Sequence, residues 1–419
     1  MHGGKREGAG RKNIPNSQKK RAKNIYINDS LLDEINSSKI NNCSNFSQKC
    51  IELIKIGLGN LSTHKQCSNN DVSIHEPIAE YGLENLTSLS KSSKDLTFID
   101  LFAGIGGIRK GFEDNNTKCV FSSEWDKYAA QTYEKNYGEK PQGDITKINE
   151  KDIPNHDILL AGFPCQPFSN IGKREGFSHE TQGTLFFDVL RILKEKQPKM
   201  FLLENVKGLL TNDGGNTFKV ILKSLNDLEY SIFHKVLDAQ NFGLPQRRER
   251  VVIIGFRSDL RVLNFNFPIG NPEIRIPISN ILEHNPEGYS ISKHLQNSYL
   301  FKKNDGKPQL VDFNSDVQVN TLVASYHKIQ RLTGTFVKDG DTGVRLFSEL
   351  ELKRLMGFPD NFTIPVSRTQ MYRQFGNSVA VPMIKSVADK MKEKLFETEY
   401  TMNHNEFKHY HSQTEKAIL

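Results

Sequence analysis

The chain has few cysteines, and none of them show the paired spacing of a zinc or disulfide framework. The sequence contains no C-x-x-C pair, and its five cysteines are Cys43, Cys50, Cys67, Cys119 and Cys165. We therefore expect neither a zinc ribbon nor a small disulfide-stabilised domain. Reduced thiols, a cytoplasmic location and the absence of a bound metal are the corresponding predictions.

Long apolar runs are also missing. No segment approaches the roughly 18 consecutive apolar residues of a membrane-spanning helix. The basic amino terminus is not followed by the apolar core of a secretory signal. With 37% apolar residues in a chain of 419, the protein can form two or three packed domains. We predict no membrane partner.

Excess charge is absent from most of the chain. The first 25 residues hold eight lysines and arginines against one acid, and this excess equals the net charge of +7 of the whole sequence. The other residues carry 48 basic and 48 acidic side chains. Any nucleic-acid contact in residues 26–419 would therefore depend on local basic clusters and not on bulk charge.

A glycine-rich turn follows a strongly apolar run, but its spacing is not that of nicotinamide-dependent enzymes. Residues 98–107 read FIDLFAGIGG, which predicts a strand, a turn and a helix that continues to Phe112. Glycines let the backbone approach a ligand closely, yet the G-x-G-x-x-G pattern of dinucleotide enzymes is missing. Four residues of this turn are candidate contacts for a different cofactor: Phe102, Gly104, Gly106 and Gly107.

Acidic and aromatic residues follow at the ends of the next predicted strands. Glu124 lies about 20 residues after the glycine turn, where a carboxylate can bind ribose hydroxyls. Trp125, the only tryptophan of the chain, offers a face for an adenine ring, and Asp144 suits an exocyclic amine. Each alone could be a solvated loop acid or a core aromatic. In this order they predict a nucleoside pocket.

One cysteine lies in a proline-flanked turn, Phe163-Pro164-Cys165-Gln166-Pro167. The apolar run before it predicts a buried strand, and open α/β sheets bind ligands in the loops at the carboxyl ends of their strands. The two prolines fix the backbone on both sides of the cysteine. Cys165 is therefore a candidate nucleophile, and a buried structural cysteine is the alternative.

Six motifs in this order resemble the DNA (cytosine-5)-methyltransferases of bacterial restriction-modification systems. The resemblance extends from about Leu96 to Lys394, with no departure at a catalytic position. After the glycine turn and the Pro-Cys-Gln turn come four more motifs: Glu204-Asn205-Val206, Gln246–Arg250, Arg345–Ser348 with Met356–Pro359, and Gln374–Val379. The resemblance implies a doubly wound α/β sheet of the Rossmann-like methyltransferase type, S-adenosyl-L-methionine as cofactor and double-stranded DNA as substrate.

The resemblance also implies catalytic roles. Cys165 would add to carbon 6 of a cytosine, Glu204 would hydrogen-bond or protonate N3, and Arg248 and Arg250 would lie near the base and its phosphates. Glu204 follows an apolar run, so an unpaired carboxylate there would be costly and we expect it to have a partner.

Further residues receive binding roles in the same way. Cofactor contacts would include Pro164, Asn377, Ser378 and Val379. DNA contacts would include Gln166, Ser169, Lys173, Arg174 and Gln246. The target base must rotate out of the duplex before the chemistry can occur. The polar loop from Ser169 to Thr184 would close over the DNA when it does, although an ordinary surface loop has the same composition.

The family pattern also suggests a domain organisation. We predict a catalytic domain formed by residues 95–257 and 343–395. Residues 258–342, which contain no family motif, interrupt it where related enzymes place a target recognition domain. Residues 396–419 are polar, and we expect a frayed tail there.

The amino-terminal segment gives a second, weaker signal. Residues 1–59 combine the basic tail with one short alternating strand and two amphipathic helices, similar to ribbon-helix-helix repressors, which pair as dimers. In that reading Asn24 and Tyr26 would face DNA. A small helical packing element is the alternative. Residues 60–94 are rich in Ser, Asn and Thr and predict a flexible linker.

The sequence leaves two other functions open. An RNA (cytosine-5)-methyltransferase of the transfer-RNA type shares the catalytic motifs, and a repressor with a vestigial catalytic domain would retain DNA binding only. We favour a sequence-specific DNA methyltransferase that protects host DNA, with a restriction endonuclease as genetic partner. A homodimer through the amino-terminal module and control of its own promoter are further expectations.

Overall fold

A computed structural model of the protein describes residues 95–164 and 185–417, with side chains up to Thr401. Several predicted features lie outside the described residues. They are the amino-terminal module with Asn24 and Tyr26, the 60–94 linker, and the loop residues Cys165, Gln166, Ser169, Lys173 and Arg174.

The described chain begins with alternating strands and helices, as the sequence predicts. The strands are β1 Leu96–Leu101, β2 Thr117–Ser123, β3 Ile158–Ala161, β4 Met200–Val206, β5 Tyr230–Asp238, β6 Glu249–Arg257, β7 Gln309–Val311 and β8 Thr335–Val337. The helices are α1 Gly107–Phe112, α2 Lys127–Tyr137, α3 Leu185–Lys196, α4 Asn216–Asn226, the single turn α5 Lys293–Leu295, α6 Glu349–Met356, α7 Arg368–Asn377 and α8 Val381–Ala417. Short 3₁₀ turns, such as Ile145–Lys147 and Tyr326–Lys328, connect them.

Six strands form the central sheet in the order β2-β1-β3-β4-β6-β5. Strands β2, β1, β3 and β4 are parallel, whereas β6 runs antiparallel to both of its neighbours. Leu101 pairs with Ser123 on one side and Ala161 on the other, so these strands end at the same edge. The chain order reverses between β1 and β3, which is where open α/β sheets hold their ligands. The predicted doubly wound fold is confirmed.

Apolar side chains cover both faces of this sheet. On one face Phe98 packs with Phe112 of α1 and with Met383 and Ile384 of α8. On the other face Ile99 and its neighbours pack with side chains of α3 and α4. Strand β3 is buried along its whole length, as expected for a central parallel strand. The sheet edge that carries the functional loops is therefore a rigid support.

A separate apolar core joins the segment after β6 to α6 and α7. Its polar centre is Arg345, which is fully buried and forms ion pairs with Glu351 and Asp339 at 2.8 and 2.9 Å. Glu351 also completes a capping box with Ser348 at the start of α6. A buried arginine with two carboxylate partners holds the returning chain against the segment that precedes it.

The carboxyl-terminal segment differs from the sequence prediction. Instead of a frayed tail from residue 396, helix α8 continues to Ala417. No glycine or proline occurs after Pro382, so the sequence has no helix-breaking residue there. No helix in the described part of the chain has both the length and the apolar character needed to cross a membrane.

Candidate functional site

A cavity of about 430 Å³ opens at the carboxyl edge of the parallel strands. Its volume falls within the usual range for a small-molecule site. The lining includes the turn after β1 and four further segments, which are Glu124–Asp126, Gly162–Pro164, Glu204–Val206 and Gly376–Val379. Residues separated by more than 270 positions therefore meet in one depression.

The glycine turn forms one wall of this cavity in an uncommon backbone conformation. Phe102 has a φ of 53°, which is rare for a residue with a side chain, and Gly104 follows with 56°. A Cβ atom at Gly107 would lie 2.5 Å from Ser378 Oγ, so a larger residue there would displace the Ser378 side chain. Gly106 differs from the others because it lies against the Tyr137 ring and is not part of the cavity lining.

Glu124 links the second strand to the glycine turn. Its two carboxylate oxygens accept hydrogen bonds from the backbone N–H groups of Gly104 and Asp126, each at 2.7 Å. Burial raises the pKa of Glu124, while these backbone hydrogen bonds oppose the rise. Trp125 beside it lines the cavity and is 78% exposed, so its indole face is accessible to a ligand.

Asp144 lies in a different position from the one expected. It caps a short 3₁₀ helix by accepting hydrogen bonds from the Thr146 backbone N–H at 3.1 Å and the Thr146 hydroxyl at 2.8 Å. It is not among the residues that line the cavity. Asp144 thus shapes the loop after β2, and its contact with the exocyclic amine of a cofactor stays a prediction.

Glu204 has the partner that its burial requires. The Nε atom of Arg250 lies 3.0 Å from Glu204 Oε1, and both residues line the cavity. Burial raises the pKa of Glu204, and the positive charges of Arg250 and Arg248 counteract part of that rise. The next residue, Asn205, donates a hydrogen bond to the carbonyl of Phe163 at 2.8 Å. It thereby holds the loop after β3 against β4 at Phe163, which is two residues before Cys165 in the chain.

Arg248 and Gln246 are not placed to contact DNA. Arg248 is fully buried, and its guanidinium donates hydrogen bonds to the carbonyls of Leu322, Gly376 and Ser378. Gln246 is also fully buried; it accepts from the Leu322 N–H at 2.8 Å and donates to the Leu355 carbonyl at 3.2 Å. The predicted DNA contact of Gln246 and phosphate contact of Arg248 are therefore corrected to internal braces, because both side chains are fully buried and hydrogen-bonded to protein groups. Arg247 between them is exposed.

The segment that joins α7 to α8 closes the cavity opposite the glycine turn. Asn377, Ser378 and Val379 all line it. The hydroxyl oxygen of Ser378 is buried and has no hydrogen-bond partner among the described residues. A hydroxyl in this state has donor and acceptor capacity available for a ligand.

Helix α7 also contributes side chains that the sequence analysis missed. Gln370, Arg373 and Gln374 line the cavity together with Asn377. Their spacing of i, i+3, i+4 and i+7 places them on one helical face. The Gln374–Val379 motif showed where the helix ends, but it gave no reason to extend the site one turn towards its start.

The segment between β6 and α6 has both buried and exposed polar and aromatic side chains. Tyr326 is buried in the core, and Arg331 is buried with hydrogen bonds to the carbonyls of Leu300 and Lys303. Tyr299 and Phe301 are 43% and 40% exposed, next to an exposed pair of lysines at 302 and 303. Through these two hydrogen bonds, Arg331 links residues 300–303 to its own loop.

Comparisons with known proteins agree with this geometry. The C-5 cytosine-specific DNA methylase family matches residues 96–393. The chain is 69% identical over 401 residues to the Type II methyltransferase M.BsuFI of Bacillus subtilis, covering 94% of this chain and 98% of the relative. It is 57% identical over 299 residues to the Type II methyltransferase M.MspI of Moraxella sp, covering 71% of each chain.

The fold has a counterpart among solved structures. The methyltransferase EhMeth of Entamoeba histolytica superimposes with a TM-score of 0.57 at 24% identity, covering 73% of this chain and 98% of that chain. At this level of identity the likeness concerns the fold alone.

Proposed function

The chain belongs to the C-5 cytosine-specific DNA methylase family and is a DNA methyltransferase, and we propose that it uses S-adenosyl-L-methionine and a covalent Cys165 adduct to methylate a flipped-out cytosine. One observation carries this proposal. One cavity is lined by residues for both substrates. Gly104 and Glu124 suit a nucleoside, whereas Glu204 is a buried acid and Pro164 is the neighbour of Cys165. A methyl donor and a target base would therefore meet in one enclosure.

The cavity residues fit the cofactor. Glu124 suits the ribose, Trp125 the adenine, and the unpartnered Ser378 hydroxyl together with Asn377 the amino-acid end. The missing Cβ at Gly107 keeps the glycine turn close to Ser378. S-adenosyl-L-methionine, when bound, supplies an electrophilic methyl group. The protein's own contribution is to hold it in line with carbon 5 of the base and to exclude water.

The base side of the cavity needs a nucleophile and an acid. The thiolate of Cys165 forms a bond to carbon 6, and Glu204 gives a proton to N3 as that bond forms, so carbon 5 becomes enamine-like and can accept a methyl group. A water molecule acting as base then takes the carbon 5 proton while the bond between carbon 6 and sulfur breaks and releases the Cys165 thiolate, and N3 returns its proton to Glu204. Because burial raises the pKa of Glu204, the carboxyl is better able to carry that proton.

Arg250 and Arg248 take different parts in this proposal. Arg250 pairs with Glu204 and lines the cavity, so it can contact the base and keep the acid oriented. Arg248 acts as a positioning residue. Its guanidinium donates hydrogen bonds to the carbonyls of Gly376 and Ser378 in the cavity lining and to the carbonyl of Leu322, and it thereby holds these segments together. Gln246 has the same kind of role beside it.

DNA recognition is assigned to residues 258–342. Their exposed aromatic and lysine side chains, including Tyr299, Phe301, Lys302 and Lys303, offer contacts to bases and phosphates. Buried Arg331 and Tyr326 support this surface instead of reading the sequence. The catalytic domain, 95–257 with 343–395, then carries out the chemistry at whichever site this surface selects.

The biological role follows from the relatives named Type II methyltransferases. Methylation of host DNA in the cytoplasm would protect it from a cognate restriction endonuclease. We also retain residues 1–59 as a homodimeric DNA-binding module that represses the promoter of this gene.

The test uses DNA that traps the adduct. Wild-type protein with S-adenosyl-L-methionine should form a complex with 5-fluorocytosine duplex DNA that resists denaturation, because the fluorine on carbon 5 cannot leave as a proton does. Cys165→Ala should form none and lose turnover, while cofactor and DNA affinities change by less than about tenfold. Turnover in Cys165→Ala, or no adduct in wild type, would contradict the mechanism. Preferential methylation of transfer RNA over duplex DNA would instead support the RNA alternative.

A further inference from the structure

The cavity contains a positive charge that the catalytic proposal does not use. Two of its described lining residues carry a guanidinium group, Arg250 and Arg373. Arg250 is matched by Glu204 at 3.0 Å. Arg373 is exposed, and it forms no hydrogen bond or ion pair with any residue that the structure describes.

The helix that carries Arg373 is firmly placed. Gln374, the next residue, donates a hydrogen bond to the Tyr128 carbonyl at 2.9 Å and accepts one from the Thr132 hydroxyl at 3.0 Å. These contacts fix α7 against α2. Arg373 lies one helical turn before Asn377, on the face that lines the cavity. Its side chain therefore starts from a defined position at the cavity wall.

The acids nearby are already satisfied by backbone groups. Glu124 accepts two backbone hydrogen bonds, and Asp126 accepts the N–H groups of Tyr128 and Ala129 at 2.9 Å each as the cap of α2. Among the described residues, no carboxylate pairs with Arg373. A ligand with an anionic group would supply the missing partner.

We propose that Arg373 binds the carboxylate at the amino-acid end of S-adenosyl-L-methionine. A guanidinium matches a carboxylate with two parallel hydrogen bonds, and Asn377 on the same helical face lines the same wall. This inference rests on the proposed cofactor. A DNA phosphate is the competing partner for the same charge, and the experiment separates the two.

The test compares two ligands that differ in the amino-acid end. S-adenosyl-L-homocysteine keeps the carboxylate, whereas 5′-methylthioadenosine lacks the amino-acid group. Trp125 is the only tryptophan and lines the cavity, so its fluorescence reports binding without any turnover. Arg373→Gln should weaken S-adenosyl-L-homocysteine by about tenfold and leave 5′-methylthioadenosine unchanged. Arg373→Lys should fall in between, and Arg247→Gln, which removes an exposed charge outside the cavity lining, should match wild type.

Three outcomes would overturn the inference, and each points to a different cause. Equal loss of both ligands in Arg373→Gln would mean that the residue only supports α7. Unchanged S-adenosyl-L-homocysteine affinity with weaker duplex DNA binding would assign the charge to a phosphate. If wild type binds neither ligand, the cofactor proposal itself fails, which the wild-type titration alone reveals.

Discussion

Replacement of Glu204 by glutamine should make the stability of the variant relative to wild type rise with pH, while it lowers activity. Burial raises the pKa of this carboxyl above the ordinary value of 4.5, even though Arg250 and Arg248 oppose the rise. The folded state therefore binds a proton more tightly than the unfolded state does. Stability from Glu204 is complete below pH 4.5 and is lost as the pH rises through the folded pKa.

The size of the effect follows from proton linkage. Within the window between the unfolded and folded pKa values, the free energy of unfolding should fall by up to about 1.4 kcal/mol per pH unit. Glutamine cannot ionise, so Glu204→Gln lacks this loss. The attraction between ionised Glu204 and Arg250 is already part of the folded pKa, because it forms only as the carboxyl loses its proton. The remaining offset between the variant and wild type comes from replacing a protonated carboxyl by an amide, and it does not depend on pH. The melting temperature of the variant minus that of wild type should therefore rise by roughly 2 °C per pH unit within the window.

The assay is thermal denaturation of wild type and Glu204→Gln at intervals from pH 4 to pH 8. Glu249→Gln is the matched control, because Glu249 pairs with Lys207 at the surface with 48% of its side chain exposed, and its difference from wild type should stay nearly constant. Turnover of Glu204→Gln should drop by about 10²- to 10⁴-fold, since the amide cannot give a proton to N3. A melting difference that stays flat with pH, or that falls as pH rises, would refute the proposed burial of an ionisable acid.

Three other predictions concern the braces, the recognition segment and the amino terminus. Arg248→Met should lower the melting temperature well below that of Arg247→Met, because three carbonyls lose a buried donor at a cost of about 1–3 kcal/mol each. An unchanged melting temperature with weaker DNA binding would instead indicate that Arg248 contacts a phosphate. Exchange of residues 258–342 for the segment of a related enzyme should change the methylated sequence, read by bisulfite sequencing, while turnover persists; a folded chimera that still methylates the original site would place recognition elsewhere. Deletion of residues 1–59 should leave methylation of short duplexes nearly intact. It should abolish gel-shift binding to the gene's own promoter and raise the expression of a promoter reporter. Equal losses of affinity for promoter and random DNA, with unchanged reporter expression, would indicate a non-specific basic anchor.

The parts of the site that the sequence predicts are those set by local pattern. Glu204 lies at the end of an apolar run, and an apolar run followed by an acid predicts a strand whose end carries a polar group. Glu124 lies about 20 residues after the glycine turn, the interval expected for the end of the next strand. Because the strands are parallel and in register, both acids reach the same edge of the sheet. Short-range pattern and topology together were enough to place them.

Asp144 and the tail each carry a local signal for the structure that they adopt. An aspartate two residues before a threonine can cap a short helix through its own side chain, which is what Asp144 does with Thr146. This capping role is compatible with the cofactor contact predicted for the same residue. The tail is polar but contains no helix-breaking residue, and its helix continues to Ala417.

The run from Gln246 to Arg250 could not be interpreted locally, because the partners that decide each side chain are far away in sequence. Arg248 binds carbonyls 74, 128 and 130 residues later, and Arg250 finds Glu204 across the β4–β6 pair. All five residues of this run are polar, yet two are buried braces, two are exposed and one pairs with Glu204. Arg248 joins Leu322, in the segment proposed for DNA recognition, to Ser378 in the cavity lining. If that connection positions both surfaces, loss of Arg248 should raise the KM for DNA and the KM for cofactor together, whereas loss of a simple phosphate contact would raise only the first.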